Sequence, residues 1–457
     1  MKFFKESKLK ILSLGGWGKV TQNLFVYQYN NEILVVDCGV GFPDEESPEG
    51  DLLVADASYL VENRDKIREI VITHGHEDHY GGLPFVLPKL NRQIPIYASR
   101  LTAALIKEKL DEYHQEAKIN IIDSRLKVDL GNLRLDFIYL THSIPDTFGL
   151  AIKTPVGTIL HISDFKFDWT PVMGPISDVG KIATIGSQGV VCLLSDCLRS
   201  EKDGYTLSET MIEDSLEREI RGCQGKVFIT TISSNVSRWQ QALNVSVKYG
   251  RQVALVGRSI GKIFKIAKYL GYLKIPQGVL IETKKVNNLP RNRVSLFVAG
   301  SQGETGSALN RITAGEFREI QIEPGDKVVF SAPDYIPGTE MAIHKLIDNI
   351  SRLGAAVSYS EILDDLHVSG HAAQGELSLM IGLVHPRYLI PIGGAFRQMR
   401  QFEILAQRMG YPEERVILPD KNDTIEILAN GQIRLGQKIQ SRSHVVKSKS
   451  RKRRRRY

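Results

Sequence analysis

Residues 73–82 read THGHEDHYGG and place three histidines and an aspartate within six positions. In extended chain, side chains two residues apart point the same way, so His74, His76 and Asp78 are expected to converge on one side. His79 then turns towards a neighbouring point. Imidazole nitrogens and carboxylate oxygens are the ligands of zinc and similar divalent ions. The segment therefore predicts a metal site, and it has enough ligands to divide between two ions.

Further ligand types stand at the ends of other short strand-like runs. They are Asp37 in VVDCG, His142 in YLTHSIPD and Asp164 in HISDFKFD. A lone aspartate at a strand end is more often a cap or a turn residue, so none of the three indicates a metal site by itself. Binding sites of α/β proteins are built where strands end, and the set together is typical of such a site.

The order of the elements predicts how these residues are positioned. The first two hundred residues alternate short β-branched runs with turns, whereas from about 205 helices alternate with strands such as KVFITT and RQVALVG. That alternation is typical of a parallel sheet. We expect one α/β domain in two parts, 1–200 and 356–440, interrupted by an inserted α/β domain at 201–355. Residues 441–457 are expected to form a disordered basic tail.

Composition narrows the functional classes. The chain has 457 residues, 42% of them hydrophobic, and no apolar run long enough to span a bilayer. Four scattered cysteines form no CxxC pair and predict a reduced, cytoplasmic protein that has no membrane partner. The net charge is +7, but the last sixteen residues carry nine Lys and Arg and no acid, so the remainder is slightly acidic. The basic tail at 447–457 fits a polyanion such as nucleic acid.

The motifs together resemble one known family. THGHEDHYGGLP, THSIPDTFGL, HISDFKFD, TTISSNVSR, AGSQGETGSAL and HVSGHAAQGEL are similar to segments of the ribonuclease J family, within the β-CASP group of nucleic-acid-processing enzymes. The resemblance runs from residue 11 to about 400. It implies an α/β fold in which a metallo-β-lactamase αββα sandwich is interrupted by a β-CASP α/β domain.

The resemblance also implies roles for individual residues. The first zinc ion would be held by His74, His76, His142 and Asp164, and the second by Asp78 and His79 with Asp164 bridging. Asp37 would orient the metal loop from behind, and the catalytic residues would be Asp78, Asp196 and His371. The residues implied in binding the nucleic-acid backbone are Ser233, Ser234, Asn235, His367, Val368, Ser369, Gly370 and His371.

The segment PIGGAFR departs from the family pattern. Gly393 stands where the family has a last metal-ligand histidine, and Ala395 stands where it has an acidic residue. His385 is eight residues earlier, which is about 26 Å in extended chain, so it does not replace the missing ligand. We expect two divalent ions, and zinc is the expected metal. The second site is expected to be weakened and to suit a harder ion such as Mn or Mg.

The function implied by the resemblance is a metal-dependent ribonuclease that matures and degrades RNA. It would act as a 5′-to-3′ exonuclease on 5′-monophosphorylated RNA, with endonuclease activity as a second mode, and as a homodimer. The alternative is a catalytically impaired RNA-binding homologue, or a partner subunit of an active ribonuclease, as the loss at Gly393 suggests. A small-molecule metallo-hydrolase and a DNA-repair nuclease fit the inserted domain and the motifs less well.

Overall fold

A computed structural model of the protein describes residues 8–41, 52–333 and 339–447. The strands within them are β1 Lys8–Ser13, β2 Phe25–Tyr29, β3 Glu32–Val36, β4 Val40–Gly41, β5 Leu52–Val54, β6 Ile67–Val71, β7 Ile96–Ala98, β8 Ile119–Ile121, β9 Lys127–Asp129, β10 Arg134–Leu140, β11 Thr147–Thr154, β12 Gly157–Ile162, β13 Cys192–Asp196, β14 Val227–Thr230, β15 Gln252–Val256, β16 Leu280–Ile281, β17 Val294–Val298, β18 Lys327–Phe330, β19 Ala356–Ser358, β20 Tyr388–Ile392, β21 Thr424–Leu428, β22 Ile433–Leu435 and β23 His444–Val446.

The α-helices of the same residues alternate with these strands. They are α1 Ser58–Glu62, α2 Glu77–Tyr80, α3 Leu83–Leu90, α4 Arg100–Glu112, α5 Val179–Ser187, α6 Met211–Ile220, α7 Val236–Lys248, α8 Arg258–Tyr269, α9 Ala308–Thr313, α10 Glu340–Arg352, α11 Gln374–Val384 and α12 Phe396–Arg408. None of the helices in the described ranges is long and apolar enough to cross a membrane.

Two sheets pack face to face. The first has the strand order β22-β21-β1-β2-β3-β6-β7-β8 and the second the order β20-β13-β12-β11-β10-β9. Side chains alternate across each strand, so in β2 Phe25 and Tyr27 join the core shared with the second sheet, while Val26 packs on the opposite side. Helices α3 and α4 cover the outer face of the first sheet. Helices α5, α11 and α12 cover the outer face of the second, which confirms the predicted αββα sandwich.

A third sheet lies within the chain segment between β13 and β20. Its strands are parallel in the order β16-β15-β17-β14-β18-β19. Helices α7 and α8 pack on one face and α9 and α10 on the other, as in other doubly wound sheets. This is the predicted inserted α/β domain. Its last strand, β19, extends to Ser358, three residues beyond the predicted boundary at 355.

The predicted disordered tail is ordered in its first part. The short strand β23 pairs antiparallel with β5, with His444 opposite Val54 and Val446 opposite Leu52. Backbone hydrogen bonds to a free strand edge account for this order rather than burial, because Val445 remains 46% exposed. Apolar content alone therefore underpredicts structure here. Residues 448–457 lie outside the described part of the chain.

The direction of the strands assembles the site. Strands β10, β12, β13 and β20 run the same way through the second sheet, because β10 and β12 are both antiparallel to β11 and the other pairs are parallel. Their ends therefore meet at one edge of the sheet. The residues at or just beyond these ends are His142, Asp164, Asp196 and Gly393.

Candidate metal centre

The metal loop follows β6, but it does not continue as extended chain. His76 has an extended backbone and precedes α2, a single helical turn that contains Asp78 and His79. The expectation that Asp78 would align with His74 and His76 by strand alternation is therefore wrong. The helical turn moves Asp78 and His79 away from the strand direction, and this places them beside a different part of the site.

His74, His76, His142 and Asp164 form one group of potential ligands. Their ligand atoms all lie within 4.8 Å of one another. Oδ2 of Asp164 is 3.6 Å from Nε2 of His74 and 3.7 Å from Nε2 of His142. Both of these Nε2 atoms are buried and have no hydrogen-bond partner among the described residues. Because buried nitrogens normally have partners, two such atoms directed at one carboxylate fit a bound cation.

The other ring nitrogens of two of these histidines are fixed by the protein. Nδ1 of His142 donates to the carbonyl oxygen of Gly370 over 2.8 Å, and Nδ1 of His74 lies 3.0 Å from Oγ1 of Thr73. These bonds leave Nε2 for a metal. Burial lowers the pKa of His74 and His142 well below the ordinary value and that of His76 to about 4. The rings are therefore neutral, the form that binds metal.

Asp78, His79 and Asp164 form a second, adjoining group. Nε2 of His79 lies 3.4 Å from Oδ2 of Asp78 and 3.5 Å from Oδ2 of Asp164. Burial lowers the pKa of His79, but the carboxylates of Asp164, Asp78 and Asp37 outweigh burial and raise it well above the ordinary value. A bound cation would take the place of that proton. Asp164 contacts both groups, so it is the residue that could bridge two ions.

Asp37 lies behind the metal loop, in the place expected for an orienting carboxylate. Its Oδ2 accepts from Nδ1 of His79 over 2.8 Å, and its Oδ1 accepts from the backbone N–H of Thr73 over 2.8 Å. Asn23 also contacts His79, which the sequence did not predict. Its Nδ2 lies 3.1 Å from Nε2 of His79. The available signal was the segment TQN at residues 21–23, but an amide is a weak indicator beside histidines and carboxylates.

Gly393 immediately follows β20 and lies beside the carboxylates of Asp164 and Asp196. Its backbone is left-handed, with φ of +67°, and a Cβ at this position would lie 3.9 Å from Oδ1 of Asp164 and 3.7 Å from Oδ1 of Asp196. A Cβ at this position would therefore fit at van der Waals distance from both carboxylates, one of which is the shared Asp164. Ala395 begins α12 without a side-chain cap. His385 ends α11 and precedes β20, so it lies at the end of that strand opposite to Gly393.

His371, which is partly buried, and Asp196, which is fully buried, form a hydrogen-bonded pair near Asp164. Nδ1 of His371 donates to Oδ2 of Asp196 over 2.8 Å, while its Nε2 lies 3.9 Å from Oδ2 of Asp164. Burial lowers the pKa of His371, but Asp196 and then Asp164 raise it to about 9. The two carboxylates therefore favour the protonated form of the ring, and its Nε2 faces the metal groups.

Of the two loops expected to contact RNA, one contains His371 and the other immediately precedes α7. Asn235 caps α7 by accepting from the backbone N–H of Arg238 over 3.0 Å, and Ser233 contacts Ser259 over 2.9 Å. In the other loop, Nδ1 of His367 is buried without a partner among the described residues. Gly370 passes so close that a Cβ there would lie 2.6 Å from Nδ1 of His142. Ser234, Val368 and Ser369 belong to the same two loops.

Comparison with known proteins assigns all three parts of the chain. Residues 33–177 match the beta-lactamase superfamily domain, residues 224–350 the beta-CASP domain of ribonuclease J, and residues 360–419 the RNA specificity domain of Zn-dependent metallo-hydrolases. In a solved structure, a protein of unknown function from Enterococcus faecalis V583 shares the fold. It has a TM-score of 0.63 at 13% identity and covers 92% of this chain and 100% of its own.

Curated relatives give the family. Ribonuclease J 1 of Streptococcus pyogenes serotype M3 is 38% identical over 93% of this chain and 76% of its own length. Ribonuclease J of Thermus thermophilus is 40% identical over 90% and 73%, and ribonuclease J2 of Bacillus subtilis is 35% identical over 96% and 78%. The resemblance first drawn from the motifs is confirmed. The chain belongs to the ribonuclease J family and is a metal-dependent ribonuclease of RNA processing.

Proposed function

We propose that the protein removes nucleotides in the 5′-to-3′ direction from 5′-monophosphorylated RNA, with cleavage at internal sites as a second mode. The observation that carries this proposal is the group of His74, His76, His142 and Asp164. Asp78 and His79 lie beside the same Asp164, and His371 faces it. Paired metal sites of this kind serve in-line displacement at phosphorus. The 367–371 loop contains His371, and Arg238 links it to the 233–235 loop; hydroxyls and backbone N–H groups of both loops can hold phosphate oxygens.

The ligand sets support two divalent ions of unequal affinity. His74, His76, His142 and Asp164 give three nitrogens and one oxygen, a set that suits zinc. Asp78, His79 and Asp164 offer the other ion three protein ligands, because Gly393 contributes no side chain. We infer that water would fill the remaining ligand positions of this second ion. The ion would therefore bind more weakly, and Mn or Mg would compete with zinc for the site.

The protein's own groups account for the proton transfers. Bound ions would lower the pKa of an attacking water and neutralise charge on the phosphate. Asp78 orients that water by accepting one of its hydrogen bonds. His371 donates the proton on Nε2 to the departing 3′ oxygen, and Asp196 holds the ring through Nδ1. Ser233, Ser234, Asn235 and the 367–371 loop hold the RNA backbone, so that the scissile phosphate lies between the metal groups and His371.

Cellular context and assembly are inferred from the family resemblance. We infer a cytoplasmic homodimer that associates through the catalytic domains. The basic segment at 447–457 adds contacts to RNA phosphates outside the centre. Sedimentation of the purified protein over a range of concentrations tests the dimer, and a monomer at micromolar concentration would refute it.

A paired metal and activity measurement tests the proposed function. Metal content per chain is determined on purified protein, and the same sample is assayed on matched RNAs that carry a 5′-monophosphate, a 5′-triphosphate or a 5′-hydroxyl. We expect two ions and fastest release of nucleotides from the 5′-monophosphorylated RNA. A fully metallated protein that binds RNA without cleaving it would instead support the impaired RNA-binding alternative.

A further inference from the structure

Arg238 is a fully buried cation that lies outside both metal groups. It stands in the first turn of α7, and all of its side-chain N–H groups have partners. Nε and Nη2 donate to the two carboxylate oxygens of Glu209 over 2.6 and 2.9 Å. Nη1 donates to the carbonyl oxygen and the hydroxyl of Ser331 over 2.8 and 3.0 Å, and Nη2 reaches the carbonyl oxygen of Val368 over 3.3 Å.

These contacts join the two loops that are expected to contact RNA. The backbone N–H of Arg238 is bound by the capping side chain of Asn235, which ends the 233–235 loop. Its guanidinium binds Val368 in the 367–371 loop, and Ser331 extends the link by donating to the carbonyl oxygen of Leu366 over 2.8 Å. One side chain of the inserted domain therefore fixes the separation of the two loops.

Glu209 continues the connection towards a potential metal ligand. Its backbone N–H donates to Oδ2 of Asp168 over 2.9 Å, and the backbone N–H of Asp168 donates to Oγ1 of Thr141 over 3.1 Å. Thr141 precedes His142, whose Nδ1 donates to the carbonyl oxygen of Gly370. The chain of hydrogen bonds thus returns to the loop from which it started. It forms a closed circuit of buried groups around one side of the centre.

We propose that Arg238 and Glu209 are a positioning pair, which sets the two RNA-contacting loops at a fixed distance from His142. This inference rests on the proposed contact of both loops with the RNA backbone. Stability alone explains the pair poorly, because apolar residues of similar volume often replace a buried ion pair without loss. A guanidinium bound in bidentate fashion fixes direction as well as distance, and direction is what two loops on different domains require.

The decisive variant removes both charges at once. Arg238→Met combined with Glu209→Leu leaves no uncompensated buried charge, so the chain is expected to fold and to bind metal like the native protein. We expect kcat/KM for 5′-monophosphorylated RNA to fall by about 100-fold, the scale of a misplaced substrate, mostly through KM. Hydrolysis of bis(p-nitrophenyl) phosphate, which is too small to reach both loops, is expected to remain at the native rate.

Two further variants serve as a control and as a second test. Lys226→Met removes another buried cation, at the opposite end of β14, where Lys226 pairs with Glu323, and both activities should stay native. Arg238→Lys keeps the charge but cannot bind the carboxylate of Glu209 through two parallel N–H groups. We expect kcat/KM for RNA to fall by about tenfold, and hydrolysis of the small diester to stay native. It decides the question if the double variant does not fold.

The outcomes separate this inference from the proposed function. Native cleavage of RNA by the folded double variant, or by Arg238→Lys if only that variant folds, would overturn the positioning role. An equal loss on the small phosphodiester would also overturn it, because the pair would then act on the metal centre itself. A native protein that fails to cleave RNA while it hydrolyses the small diester would count against the proposed function instead.

Discussion

A Cβ added to Gly393 would lie 3.9 Å from Oδ1 of Asp164, the residue whose carboxylate contacts both groups of potential metal ligands. An imidazole at this position would add a nitrogen ligand to the group formed by Asp78 and His79. We expect Gly393→His to raise the affinity of the second ion at least about tenfold, comparable to other single contributions to a metal shell. Metal titration of the chelated protein, followed by RNA cleavage at limiting metal, measures the effect.

A matched variant separates ligation from backbone strain. Gly393 has φ of +67°. This conformation is unfavourable for any residue with a side chain, but histidine adopts it more readily than most residues do. Gly393→Ala carries the strain without the ligand, so it should not tighten metal binding. If alanine and histidine change metal affinity equally, the missing side chain at 393 is not what weakens the second site.

Asp37 should control the second ion through His79. Its carboxylate accepts from Nδ1 of His79 and so directs Nε2 at Asp78 and Asp164. Asp37→Asn is expected to lower the affinity of that ion by about 10- to 100-fold, the usual cost of losing an outer partner of a metal-binding histidine. Metal content after dialysis against graded chelator measures it. The control is Asp123→Asn, an exposed loop carboxylate that accepts from Arg125, which should leave metal content unaltered.

His371 should act on the rate and not on metal content. We expect His371→Gln to slow RNA cleavage by about 10² to 10⁴, the range for loss of a general acid, while both ions and RNA affinity are retained. Single-turnover cleavage and a binding titration measure the two quantities separately. His344→Gln, on the exposed side of α10 beside Glu361, is the control. Loss of an ion from His371→Gln would show that the ring belongs to the metal shell.

Glu69 predicts a pH-dependent stability. Burial on β6 raises its pKa from the ordinary 4.5 to about 7, and its Oε2 has no hydrogen-bond partner among the described residues. The folded state therefore holds this proton more tightly, so the contribution of Glu69 to the free energy of unfolding is most favourable below pH 4.5 and declines as the pH rises to about 7. Glu69→Gln should raise Tm by about 1 to 2 °C at pH 8 and leave it unchanged at pH 4. A gain at both pH values would exclude this explanation.

The basic tail should determine salt dependence. Residues 448–457 contain seven Lys and Arg and no acid, and each phosphate that they contact adds about 0.7 to the slope of log affinity against log salt. Truncation after Lys447 should flatten that slope by at least one unit and leave hydrolysis of a small phosphodiester unchanged. A tail in which lysine replaces every arginine should bind like the native one. An unchanged slope after truncation would remove RNA contact as its role.

The sequence predicted a set of strand-end residues, four of which the structure brings together, but it did not predict their geometry. His74, His76, His142 and Asp164 stand at strand ends, and strand direction is enough to bring strand ends together. Asp78 was misplaced because a four-residue helix has no periodicity that a pattern can detect. Asn23 was missed because its contact with His79 links positions far apart in sequence. The Arg238–Glu209 pair is of the same kind, since no local signal distinguishes a buried ion pair from two surface charges.

The pairing of β1 with β21, which places Lys8 opposite Leu428, bears on how the enzyme is made. The first sheet joins the two ends of the chain, and β20, which borders Gly393, pairs with β13 across the whole inserted domain. Such distant contacts form late, because the loop must close before they contribute. A nascent chain released from the ribosome only as far as α10 therefore contains His74, His76, His142 and Asp164 and the strands that carry them, but it lacks His371 and strands β20 and β21. We therefore expect full nuclease activity only after synthesis has passed residue 428, where β21 completes the first sheet.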